Sequence, residues 1–183
     1  MNKLELLIFL GYMIIFMAIT LIIYAYLYNK IKSQVLRINK AESEIDESLR
    51  NKYDIITKLI AEILQVEKNN KNLKNIDKIK NENLSSFEFE RKLYDLESQI
   101  YTIKNENSKL QKSKVMNDLW YEIININTKI KAEKKYYNEN TATYNSLVTK
   151  FPSKIIAILL KFEEKTYFDG KDMYDENIKD FKI

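Results

Sequence analysis

Catalysis needs groups that titrate, attack or ligate, and this chain of 183 residues offers 26 carboxylates but no histidine and no cysteine. It therefore lacks the usual general base, the commonest metal ligand and the thiolate nucleophile, which excludes ordinary zinc sites and Cys-His or Ser-His-Asp catalysis. Di-iron sites in helical bundles need Glu-x-x-His pairs, and those are excluded too. The acid cluster Asp169, Asp172, Asp175 and Glu176 lacks the spacing and closing glutamate of an EF-hand loop, so it reads as a solvated tail. Asp46 and Asp54 are the acids left to weigh. A matched Ile-Asp and Tyr-Asp pair on one helix could serve a function, although such acids more often pair with Lys or Arg on a neighbouring helix or cap a bundle end. The expectation is no enzyme, no catalytic residue, no metal and no cofactor.

The elements that would position these residues are helical. With 2 Gly and 1 Pro the turn chemistry of β-rich folds is nearly missing, and the length suits one domain with an appendage. Absence of cysteine leaves the redox compartment open. A net charge of +4 is modest, lysine is spread along the chain rather than gathered into one patch, and the Lys/Asn-rich "EKNNKNLKNIDKIKNEN" lacks interleaved aromatics, so no nucleic-acid partner is expected.

The stretch Leu6–Leu27 runs about 22 residues without a charge, enough to cross a hydrocarbon core roughly 30 Å thick. A cleavable signal peptide would have a shorter apolar run and a small-x-small cleavage site, which "YAYLYNK" does not offer. Tyr24, Tyr26 and Tyr28 gather at one end, as amphipathic rings do at a headgroup layer. After the span come Lys30, Lys32, Arg37 and Lys40 with no acid before Glu42, so the positive-inside rule puts the remainder in the cytoplasm and the N-terminus outside.

Beyond the span Ile31, Val35, Ile38, Ile45, Leu49, Ile56, Leu59, Ile63 and Val66 recur at steps near 3.5, with Glu42 and Lys52 at the skipped seam positions. Anchor and first bundle helix should be one continuous helix. The Lys/Asn-rich stretch after it, marked only by Leu73, Ile76 and Ile79, is either its frayed end or a polar linker. Ser85 and Glu88 form a capping box, with Leu84 and Phe89 at the staple positions, and open a helix striped by Leu93, Leu96, Ile100 and Ile103. Residues 105–113 break the pattern. It resumes through Val115, Leu119, Ile123, Ile126, Ile130, Tyr137, Tyr144 and Leu147, with Trp120 as a core or edge packing residue. Pro152 disfavours helix at Phe151, so this helix should end near Thr149 or Lys150 and a short fourth helix should open at the proline. That helix is apolar nearly all round and too short to span a bilayer. It should lie buried, with Ile155, Ile156, Leu159 and Phe162 in the core.

Three blocks stand out: "YNKIK" followed by "AESEIDESLRNKYDIITKLI", with Ala41, Ile45, Asp46, Leu49, Tyr53, Asp54, Ile56 and Leu59; "ENSKLQKSKVMNDLWYEI"; and "AEKKYYNENTATYNSLVTKFPSKIIA" with "KTYF" after it, which holds Tyr137-Asn138, Tyr144-Asn145 and Phe151-Pro152. Over residues 28–168 these blocks resemble the LemA family of membrane-anchored bacterial proteins, whose pattern the first follows and whose intervals the third keeps. Departures fall at Thr57, Ser108, Lys134 and Lys135. The resemblance implies an antiparallel four-helix bundle on an N-terminal anchor and brings no activity, cofactor or catalytic residue.

The expected organisation is an anchor over 1–28, a bundle over 29–168 and a polar tail over 169–183. Two roles fit: a non-catalytic scaffold or interaction module at the membrane, or an accessory subunit of a membrane enzyme or transporter. The bilayer is the expected partner of Leu6–Leu27. Protein partners stay unnamed, and self-association stays open.

Overall fold

The computed structural model describes residues 2–67, 73 and 84–168. Helices account for nearly all of them: α1 Lys3–Val66, α2 Ser86–Glu106, α3 Ser108–Lys112, α4 Lys114–Thr149 and α5 Ser153–Leu159. No strand occurs among the described residues. The protein is an all-α helical bundle with one long apolar N-terminal helix. Its contacts define two compact units, one of Met1–Asn39 with Glu139–Thr166, the other of Lys40–Asn138 with the described residues from Tyr167 on.

Helix α1 is continuous through Tyr28 and Asn29, as the unbroken periodicity requires. From Leu4 to Tyr26 every large apolar side chain is exposed, the surface expected of a helix whose solvent is lipid. Burial then begins abruptly and recurs through Ile31, Gln34, Ile38, Ala41, Ile45, Ser48, Lys52, Ile56, Leu59 and Ile63, in steps of three and four. The seam thus differs in detail from the apolar pattern. Gln34 is buried beside a half-buried Val35, Ala41 is buried beside an exposed Glu42, and Val66 is exposed. Lys52 does lie in the seam, as its spacing indicated.

The core of the unit built around Lys40–Asn138 gathers Ile45, Leu49, Ile56 and Leu59 of α1, Leu93 and Ile100 of α2, Leu110 of α3, and Met116, Ile123 and Ile130 of α4. Two local expectations are corrected here. The break over 105–113 contains the helix α3, capped by the Asn107 side-chain oxygen, which accepts from the Lys109 and Leu110 amides. The first core residue of α4 is Met116 rather than Val115, which is 54% exposed. Starting the helix at Lys114 turns Met116 inward and Val115 out. Trp120 packs at an edge, its ring 5.5 Å from Tyr101 and 5.3 Å from the Lys104 ammonium. The Lys/Asn-rich stretch, apart from a buried Leu73, and the tail with Asp169, Asp172, Asp175 and Glu176 lie outside the described residues.

Helix α2 starts where its capping box directs. The Ser85 hydroxyl accepts from the Glu88 amide at 3.3 Å, and the Glu88 carboxylate accepts from the Ser85 amide at 3.0 Å and hydroxyl at 2.8 Å. These bonds, backbone first, hold the Glu88 carboxyl below its ordinary value of 4.5. We expect Ser85→Ala to cost about 1 kcal/mol in denaturant unfolding at neutral pH. A depressed carboxylate stabilises the fold above its unfolded pKa and loses that contribution as the pH falls through the folded value. The penalty of Ser85→Ala should therefore shrink as the pH drops below 4.5; a constant penalty would mean that the carboxylate is not part of the cap.

Helix α4 ends at Thr149, and α5 opens directly after Pro152 across a cis Phe151–Pro152 peptide. Helix α5 has 7 residues and is buried on one side only. Ser153, Ile156 and Ala157 are buried, whereas Ile155 and Leu159, expected in the core, are 54% and 69% exposed, and Phe162 is half-buried. An apolar run reads as buried on every side in a sequence, but a single-layer contact covers only the residues at i, i+3 and i+4 of one face.

Candidate functional site

The residues singled out in the sequence sort into two local arrangements and a turn. On α1, Ile45 is fully buried and Tyr53 nearly so, its ring 6.1 Å from that of Phe89 on α2. Asp46 accepts a hydrogen bond from the Ser86 hydroxyl in the first turn of α2, and Asp54 is exposed. Eight residues apart on α1, the two acids are separated by about 12 Å along the helix axis and are not brought together. Each follows an inward apolar or aromatic residue by one position, which places it at the edge of the seam, and Asp46 joins two helices there.

The two Tyr-Asn pairs share one physical logic. Residues seven apart on a helix lie two turns apart on the same side. The irregular segment after α5 carries backbone groups that no helix satisfies, and an asparagine amide supplies one donor and one acceptor to meet them. In the first compact unit the Asn145 amide donates to the Lys165 carbonyl at 2.8 Å and accepts from the Lys165 amide at 2.9 Å. The Tyr144 hydroxyl donates to the Glu163 carbonyl at 2.8 Å. In the second unit Asn138 accepts from the Phe168 amide at 2.9 Å, and the Tyr137 ring meets the Phe168 ring edge-on at 6.2 Å. Phe168 also lies 5.1 Å from the Lys134 ammonium, and Lys134 pairs with Glu90 at 2.8 Å.

This chemistry holds chain against chain. Burial, and secondarily the Glu163 charge, push the Tyr144 phenol above its ordinary value, so it keeps its proton and acts as a donor. Removing the Asn145 amide should cost about 2 kcal/mol, because an Asn145→Ala change strips both Lys165 backbone groups of their partner. Asn145→Asp should be no milder, since it loses the donor and sets an acceptor against the Lys165 carbonyl. Denaturant midpoints of the two variants test the clip; a cost near zero for both would rule it out.

Three polar links could not be seen from periodicity alone. Lys52 pairs with Glu97 of α2 at 2.7 Å, and Glu97 also accepts from Asn127 of α4 at 2.8 Å. Ser48 donates to Glu133 at 3.1 Å. In the turn before α4, Ser113 donates to Glu62 at 3.1 Å. A cation at a seam position was the available signal for the first link, since a buried ammonium demands a facing acid. Phe151 and Pro152 form the turn. They are exposed and make none of these links. Among the described residues no group of three or more histidines, cysteines and acids could hold a metal ion.

The Tyr-Asn clips and the seam acids coincide with the stretch over which the sequence matches a family. No curated protein matches it. The match runs over residues 41–180, beginning at the seam residue Ala41 and covering the seam acids, both clips and the Phe-Pro turn, and on it the chain belongs to the LemA family.

Proposed function

We propose that this protein is a single-pass, membrane-anchored helical module that acts by presenting its bundle to protein partners, as a scaffold without chemistry of its own. The observation that supports this reading most strongly is α1, in which an apolar span with exposed side chains passes without a break into a buried seam. The helix that enters the bilayer is also the first helix of the bundle, so the bundle cannot leave the membrane without breaking it. The side-chain chemistry described above is spent on internal links, which is consistent with a binding role. The basic flank Lys30, Lys32, Arg37 and Lys40 favours a cytoplasmic bundle and an outside N-terminus. In this reading residues 1–28 are the anchor and 29–168 the bundle.

Full-length protein should stay in the membrane pellet through alkaline carbonate and high-salt washes, because burial of the span far exceeds what a peripheral helix gains. Release into the supernatant would remove the anchor. Protease added outside intact cells or protoplasts should leave the bundle uncut, and digestion from outside would reverse the orientation. A pull-down from solubilised membranes tests the role. Several substoichiometric partners agree with a scaffold, whereas one stoichiometric enzyme or transporter would make the protein its accessory subunit instead.

A further inference from the structure

Helix α5 presents two apolar faces, and only one is covered. Ser153, Ile156 and Ala157 face inward, while Ile155, Ile158 and Leu159, on the opposite side at i, i+3 and i+4, are 54%, 67% and 69% exposed. Phe151 before the helix is 81% exposed and Leu160 after it 39%. Five large apolar side chains are thus exposed on a segment of ten residues, from 151 to 160, three of them on one face of α5. A soluble protein rarely leaves such a surface to water.

The position of this surface in the first compact unit bears on what could cover it. Phe162, two residues beyond Leu160, lies with its ring 5.6 Å from the Lys32 ammonium, and the same ammonium lies 5.9 Å from the Tyr28 ring. Lys32 follows the last residue of the apolar span, Leu27, by five positions, or about 7.5 Å along the helix axis. On the anchor reading that is the depth of the lipid headgroups, just beyond Tyr28, whose ring stacks on that of Tyr24 at 6.3 Å. The charge pattern agrees. From 150 to 161 the chain carries Lys150, Lys154 and Lys161, all exposed, and no acid; Glu163 and Glu164 come only after it turns back along α4. With only 7 residues, α5 is too short to cross the bilayer but suited to lie in its surface.

We propose that Phe151, Ile155, Ile158, Leu159 and Leu160 seat in the headgroup layer of the bilayer that α1 crosses, making the corner after α4 a second, lysine-rimmed membrane contact that fixes the attitude of the first compact unit to the membrane. This rests on the anchor reading, and the test separates the two. The chain has no cysteine, so single-cysteine variants label cleanly. Full-length protein carrying Ile158→Cys, Tyr121→Cys or Phe16→Cys is labelled with an environment-sensitive fluorophore and reconstituted in phosphatidylcholine vesicles containing phosphatidylglycerol. Lipid spin-labelled near the headgroup and aqueous iodide serve as quenchers.

The label at 158 should be quenched by spin-labelled lipid several-fold more than the label at 121, and shielded from iodide. Adding Leu159→Lys should reduce the lipid quenching at 158 without moving the thermal midpoint. Lipid quenching at 158 no greater than at 121, with 16 still quenched, would overturn the proposal and leave the anchor standing. Loss of quenching at 16 as well would remove the anchor and the proposal together. A label at 158 shielded from iodide yet insensitive to spin-labelled lipid would assign the surface to a second copy of the chain and refute membrane seating.

Discussion

Replacing Glu97 by alanine should destabilise the protein by about 3–5 kcal/mol, one of the two largest losses expected from any single change in it. Its partner, the Lys52 ammonium, has a side chain only 4% exposed and meets the carboxylate at 2.7 Å. Glu97 lies in the outer part of the pair at 17% exposure and also takes the Asn127 amide, so three helices converge on one acid. Removing that acid leaves the ammonium of a nearly buried lysine without the carboxylate it meets at 2.7 Å. Replacing both partners with apolar residues of similar volume, Lys52→Met with Glu97→Leu, should recover most of the loss, because a buried pair gains little over good apolar packing. Denaturant unfolding of full-length protein in micelles, completed as a double-mutant cycle, measures both. A Glu97→Ala cost below about 1 kcal/mol would mean that the pair is solvated and contributes like a surface bridge.

That pair marks the limit of what the sequence made legible. The capping box at Ser85 and the end of α4 at Thr149 follow from cap chemistry and the proline and appear where those rules place them, whereas the apolar period gives the continuity of α1 and most of its seam but misses Gln34 and Ala41. Lys52 was visible at a seam position, but its partner was not. Which of many carboxylates faces it depends on the register between α1 and α2, and a period fixes a face without fixing a register. The Tyr-Asn pairs stood out because they keep the intervals of the LemA family, yet their partners are backbone groups of Glu163, Lys165 and Phe168. Backbone has no sequence signature. Asp46 was weighed as a functional acid or a structural one, and its bond to Ser86 places it at a helix junction.

Helix α5 shows the same limit most sharply, because "KIIAILLKF" is apolar in every direction and periodicity gives no side to bury. Only the structure separates Ile156, 5% exposed, from Leu159, 69% exposed. The separation gives the second large effect. Ile156→Lys should cost about 3 kcal/mol, since the ammonium either enters an apolar contact unpaired or pulls α5 off the unit. Leu159→Lys should leave stability within about 0.5 kcal/mol, because the new charge starts and stays outside the protein's own packing. Ile156→Met serves as the volume control and should cost less than about 1.5 kcal/mol, which separates the effect of charge from that of reshaping the site. Thermal unfolding in micelles compares the three. A large loss for Leu159→Lys would mean that α5 is enclosed on both sides. Silence from Ile156→Lys would mean that the helix is not packed at all, and either result would reject the half-covered helix on which the interfacial surface depends.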